Sequence, residues 1–196
     1  IAYEETDPDA SVEAYVGAIA ACARESAALL GMAPPVLTIE PGRTIVGQAG
    51  VAVYTVGARK EIPGVRTYVS VDGGMADNIR PALYGAAYTA ELVGRPSDGD
   101  LAPVTIAGKY CESGDILIER VALPPLSPGD RLVIPAAGAY CLAMASNYNQ
   151  ALRPAVVFIE DGESRLTQRR ETVDDLLRRD VIDVRMTRGA TAEVTI

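Results

Sequence analysis

The chain has 196 residues, 48% apolar and 22% charged, with 18 basic against 26 acidic side chains and a net charge of −8. That composition supports an ordinary hydrophobic core and excludes wholesale disorder, and its acidic balance argues against a nucleic-acid or anionic-membrane surface. At about 150 residues per domain the length suits one domain and a piece of another, and no apolar run approaches the roughly 18 residues of a membrane span.

The residue types that are scarce narrow the chemistry. There is no histidine, which removes His-dependent triads and most zinc sites from this chain, and no metal site is expected. Cys22, Cys111 and Cys141 are odd in number and far apart, so a reducing cytoplasm is the simplest compartment. The opening Ile1-Ala2-Tyr3-Glu4-Glu5 has neither the basic start nor the apolar run of a signal peptide.

The first elements predicted are of α/β type. Ser11 suits an N-cap with Glu13 in the first turn, and Val12, Tyr15, Val16, Ile19, Ala23, Ala27 and Leu30 recur at helical spacing until Gly31 and Pro34-Pro35. Val36–Ile39 then reads as a short buried strand entering a turn at Glu40-Pro41-Gly42-Arg43. One helix and one parallel strand cannot close a sheet alone.

From Thr44 onward the pattern is β. Strands are expected at Thr44–Val56, Thr67–Val71, Val104–Ala107, Ile118–Leu123, Arg131–Ile134 and Val156–Ile159. Pro63-Gly64, Asp72-Gly73-Gly74, Ser97–Asp100, Ser127–Asp130 and Asp161-Gly162 supply the turns, which points to a sandwich or barrel. Helical stretches are expected at Thr172–Arg179 and, briefly, around Ala137–Asn147; Val181–Ile196 is unassigned.

Four segments carry candidate chemistry, and each also admits a plain structural role. In Glu40–Arg43 a glycine turn exposes backbone N–H groups and Arg43 adds a fork of donors for phosphate or carboxylate; on the tetrapeptide alone, an ordinary turn with a surface Arg is the favoured reading. In Asp72–Tyr84, Arg80 can clamp a carboxylate with Tyr84 four residues on, or pair with Asp77 in a solvated loop. In Cys111–Asp115 a tunable thiol can donate a proton and Glu112 can receive an ammonium group, or the cysteine is half-buried in a turn. In Gly138–Tyr140 with Ser146–Asn149, Tyr140 can present its hydroxyl to an anion or pack over the sheet.

Taken in order, EPGR at 40–43, DGGM…RPALYG at 72–85, CESGD at 111–115 and GAY…SNYN at 138–149 resemble the C-terminal half of the diaminopimelate decarboxylases, of the fold-type III pyridoxal-phosphate family. The CESGD form separates them from ornithine-type relatives, which usually carry Asp at the position of Glu112. The resemblance implies a mainly β chain: residues 1–46 would be the last helix and strand of an incomplete (β/α)8 cofactor-binding barrel, 47–180 a C-terminal β-barrel domain, and 181–196 a tail. It further implies that Glu40, Gly42, Arg43 and Tyr140 touch pyridoxal 5'-phosphate, and that Arg43, Arg80, Tyr84, Glu112 and Tyr140 bind meso-diaminopimelate. Cys111 would be the proton donor, delivered with Glu112 across the interface of a homodimer.

The family's anchoring lysine has no counterpart at Lys60 or Lys109, the chain's two lysines. The expectation is a fragment of the decarboxylase that is inactive alone. A split-enzyme subunit, or a non-catalytic binding module related to ornithine- and arginine-type decarboxylases, would carry the same gap. Residues 47–180 are expected to fold best and the first 40 to be poorly anchored, with Val36–Ile39 unpaired.

Overall fold

The computed structural model describes residues 11–96 and 99–181. The tail beyond Val181, the Pro8–Ala10 helix approach and the Ser97-Asp98 half of one expected turn lie outside the described residues. Two compact units are present, Ile1–Ser146 and Asn147–Ile196.

The first unit opens with α1 (Val12–Leu29), whose ends are set by local chemistry. The Ser11 hydroxyl accepts from the Ala14 amide at 3.1 Å, satisfying one of the first-turn donors. At the other end Gly31 takes a left-handed conformation (φ 66°). The Gly31 and Met32 amides donate back to Ala28 and Ala27, a Schellman stop. Only Ala27 of this helix is buried. Val36–Ile39, expected as a strand, joins no sheet among the described residues and Val36 is 94% exposed. A parallel strand needs neighbours to satisfy its backbone, and none pairs with it among the described residues.

The β pattern begins later than its sequence suggests. Gly42–Val46 forms a short helix, α2, so Thr44–Val46 is a correction to the expected strand. Its β-branched residues are overruled by the tertiary setting: Ile45 and Gly47 amides donate to the Pro41 and Arg43 carbonyls, and the chain then passes closely under Gly138.

The main sheet follows: β1 (Ala52–Ile62), β2 (Arg66–Val71), then, after the short helix α3 (Arg80–Tyr84), β3 (Glu91–Val93), β4 (Ala102–Ala107), β5 (Ile116–Leu123) and β6 (Arg131–Ile134). Their spatial order is β3-β6-β1-β2-β4-β5. Among the described residues of this sheet β2 and β4 pair in parallel and the other pairings are antiparallel. Period-two burial selects one face: Tyr54 and Val56 from β1, Val69 and Val71 from β2, Leu132 and Ile134 from β6 meet Ile106 and Leu117 in the core. β1 runs on through Gly57–Ile62 beyond its expected end, and β3 was not foreseen.

The second unit contains an antiparallel hairpin of β7 (Val156–Glu160) and β8 (Glu163–Gln168), then α4 (Val173–Leu177). Asp161 and Gly162, both at positive φ, make its tight turn. Thr172 and Asp175 form a reciprocal capping box that starts α4 within the expected stretch. Back in the first unit, the helical turn expected around Ala137–Asn147 is reduced to a 3₁₀ turn at Leu142–Met144.

Candidate active site

Three of the four motif segments are tied into one frame by main-chain contacts, and the fourth is pinned through the turn that follows it. The Asp115 carboxylate, ending CESGD, accepts from the Met75 amide of DGGM at 2.7 Å and from the Tyr110 amide at 2.8 Å. Lys109 N donates to Gly73 O at 2.9 Å, and Gly108 N donates to Asp115 O at the same distance. This carboxylate occupies space that side chains would take: a Cβ at Gly74 or Gly108 would lie 2.6 or 2.1 Å from its oxygens. The glycines in these loops therefore make room for an acid. Burial pushes the Asp115 carboxyl above its ordinary value, against the two amides that pull it down.

The GAY…SNYN segment is held from two sides. Ser146 N donates to Ala76 O at 2.9 Å, joining it to the DGGM loop, and Gly138 N donates to Gly47 O at 3.0 Å, joining it to the residue after α2. The Gly138–Val46 approach is so close that a Cβ would sit 1.8 Å from the Val46 carbonyl. Ala136 and Tyr140, both at positive φ, bend the chain on either side of this contact. Non-glycine residues in that region carry strain of about 1–3 kcal/mol each.

Within this frame Arg80 and Tyr140 come together. Arg80 opens α3, is only 7% exposed, and places its Cζ 5.8 Å from the centroid of the Tyr140 ring. Its Nη1 donates to the Tyr88 hydroxyl at 2.7 Å, and that oxygen lies 3.6 Å from Cys141 Sγ. Burial pushes the Tyr88 phenol up to about 12 and raises the Cys141 thiol, so both are protonated at neutral pH. Tyr54, beneath Gly73 and facing Asp77, is likewise raised by burial.

Three of the other expected residues stand apart from that pair. Glu40, Tyr84 and Cys111 are exposed, and among the described residues no side-chain hydrogen bond or ion pair joins them to one another, to Arg80 or to Tyr140. Arg43 is exposed on α2, Glu112 is half-buried, and Gly42 has open space where a Cβ would be. Among the described residues no cluster of acidic or cysteine side chains could hold a metal ion. No described helix is long and apolar enough to cross a membrane.

Sequence reasoning assigned no role to Asp115, Tyr88 or Cys141. For Asp115 a local signal existed, since an acid closing a Gly-containing loop opposite a Gly-Gly turn is a candidate acceptor for turn amides. Tyr88 and Cys141 are separated by 53 positions and carry no such signal.

Residues 10–138 match the family model described as pyridoxal-dependent decarboxylase, C-terminal sheet domain, and the chain belongs to that family. Among curated relatives, the diaminopimelate decarboxylase of Bacillus subtilis (strain 168) is 49% identical over 92% of this chain and 41% of its own length. That of Synechocystis sp. (strain ATCC 27184 / PCC 6803 / Kazusa) is 46% identical over 95% of this chain and 40% of its own. The crystal structure of diaminopimelate decarboxylase from M. jannaschii in co-complex with L-lysine superposes with a TM-score of 0.78 at 31% identity, covering 92% of this chain and 41% of that one. The chain thus spans about two fifths of the length of the relatives it matches. The mainly β architecture and the family resemblance read from the sequence are both borne out.

Proposed function

We propose that this chain is the C-terminal portion of a pyridoxal-phosphate-dependent decarboxylase that converts meso-diaminopimelate to L-lysine and CO2. The observation that carries this is the shared frame: Asp115, Gly138 and Ser146 hold the segments bearing Arg80, Cys111, Glu112 and Tyr140 in fixed relation. Relatives called diaminopimelate decarboxylase at 46–49% identity support the choice of substrate.

The donor set suits one end of the cofactor. Gly42, open at its Cα, would allow close backbone approach to a phosphate, Arg43 would supply a guanidinium fork, and Glu40 and Tyr140 would be further contacts to the cofactor. A covalent amine anchor is not among these groups. Lys60 is exposed near the C-terminal end of β1, paired across from Tyr68, and Lys109 places its Nζ 5.7 Å from the Tyr110 ring centroid. The anchor therefore comes from a barrel domain that these residues do not supply, and the 196 residues alone release no CO2.

When bound, the cofactor draws in the electron pair left on carbon as the C–CO2 bond breaks. Arg80, with Tyr84 on the same face of α3, binds the distal carboxylate and Glu112 receives the distal ammonium, which orients the scissile bond. Cys111 Sγ gives its proton to the carbon that lost CO2, forming the new C–H bond, and solvent reprotonates the thiolate. Cys111 and Glu112 act in the neighbouring site of a homodimer. The exposure of Cys111 suits delivery to a surface outside its own subunit. A cytoplasmic enzyme agrees with three unpaired cysteines.

The test is CO2 release from meso-diaminopimelate by the decarboxylase assembled with its cofactor-binding barrel. Cys111→Ala is expected to cut kcat by about 10²–10⁴-fold, the range for loss of a general acid. Unchanged turnover in that variant, or faster CO2 release from ornithine or arginine, would refute the proposal.

A further inference from the structure

We propose that Tyr88 is a positioning residue that fixes the Arg80 guanidinium for a substrate carboxylate, with Cys141 holding the phenol from behind; this rests on Arg80 being the carboxylate binder. A circuit of contacts surrounds the guanidinium. Arg80 Nη1 donates to Tyr88 Oη at 2.7 Å, and Tyr88 Oη lies 3.6 Å from Cys141 Sγ. Cys141 follows Tyr140 directly in the chain, and the Tyr140 ring returns to Arg80 at 5.8 Å. The Tyr88 ring itself lies 5.9 Å from Arg80 Cζ.

The polarity of the first contact is fixed by chemistry. A guanidinium only donates, so Tyr88 Oη accepts from Arg80, while either Tyr88 Oη or Cys141 Sγ can be the donor between those two. Tyr88 and Cys141 are 4% and 5% exposed, so neither exchanges these partners for water. Both stay neutral at physiological pH, pushed upward by burial, and so orient the cation without neutralising it.

The local fold explains why the device is needed. Arg80 stands at the start of a five-residue helix that ends at Gly85 in a left-handed conformation. So short a helix does not fix a long side chain by itself. Gly85 turns the chain so that Tyr88, three residues on, comes back beneath Arg80. An arginine hydrogen-bonded to a buried phenol and flanked by two rings keeps its fork in a set orientation, which bidentate carboxylate recognition requires.

The test compares variants of the assembled decarboxylase in steady-state kinetics with meso-diaminopimelate, beside NMR of the Arg80 Nη groups in the 196-residue chain. Tyr88→Phe keeps the ring and removes the acceptor. It is expected to raise KM about tenfold, leave kcat within about twofold, and speed rotation about the Arg80 Cζ–Nη1 bond. Cys141→Val is expected to share the KM effect, and Cys141→Ser, which retains a hydrogen-bonding atom, to show less of it. Arg80→Lys calibrates the site by raising KM further. If Arg80→Lys raises KM while Tyr88→Phe leaves it unchanged, the positioning role is overturned and the carboxylate reading of Arg80 stands. If Arg80→Lys leaves KM unchanged, both are overturned. A fall in kcat alone for Tyr88→Phe overturns the positioning role as well. Should Tyr88→Phe not fold, wild-type KM in Cys141→Val overturns it instead.

Discussion

Replacing Asp115 separates a loop staple from an incidental buried acid. Asp115→Ala would leave the Met75 and Tyr110 amides, now at 2.7 and 2.8 Å from carboxylate oxygens, without acceptors in a largely enclosed site. Each unsatisfied buried donor costs about 1–3 kcal/mol, so the gross loss is about 2–6 kcal/mol. Part of that is offset, because burial already disfavours the charged carboxylate and its removal relieves the penalty. A net destabilisation of about 2–4 kcal/mol is expected, and about 1–2 kcal/mol for Asp115→Asn, which keeps one acceptor and sheds the charge. Urea unfolding followed by far-UV circular dichroism measures both, and hydrogen exchange at Met75 and Tyr110 locates the effect. The raised folded-state pKa also fixes a sign. This carboxyl favours the fold fully below the ordinary carboxylate value and loses that advantage as pH rises through its folded value. Asp115→Asn should abolish that slope. An Asp115→Ala protein within about 0.5 kcal/mol of wild type, the range of an unremarkable surface change, would refute the staple.

Gly138→Ala would put a methyl 1.8 Å from the Val46 carbonyl, with backbone on both sides. A loss of roughly 1–3 kcal/mol or more is expected, with faster exchange of the Gly138 amide; an unchanged urea midpoint would contradict it. In the second unit, Arg153 holds the Glu171 carboxyl down at about 2, and Arg169 holds Asp175 below its ordinary value. Depressed folded values mean stability present above the ordinary carboxylate range and lost as pH falls toward 2. Residues 147–181 should lose NMR dispersion over that interval, and Glu171→Gln should weaken the dependence; a pH-independent spectrum would count against these pairs.

Legibility in the sequence followed the range of the interactions. The ends of α1 were readable because Ser11 and Gly31 act on residues within four positions of themselves. Arg131–Ile134 was readable because Leu132 and Ile134 alternate into the core. β8 was not, since every residue of it is exposed and no burial period exists to be read. Thr44–Val46 misled because its β-branched side chains favour a strand while backbone contacts with Pro41 and Gly138 dictate a helical turn. The four motifs could be quoted from the sequence, but the couplings between them could not. Asp115 meets Met75 across 40 positions, and Arg80 meets Tyr140 through side chains alone.

Those couplings divide the proposed half-site into a set end and an open end. Arg80 is buried, hydrogen-bonded and flanked by rings, so its ordering cost has been met on folding and is not charged again when an anion binds. Cys111 is exposed and its thiol has no hydrogen-bond partner among the described residues, although Asp115, four positions on, fixes the loop that carries it. Its side chain still has rotamer freedom to lose, and that loss falls on whatever surface the thiol meets. A pocket organised in this way would select its substrate at the carboxylate end before the proton donor is in place. Mutations around Arg80 should then act mainly on KM, and mutations around Cys111 mainly on kcat.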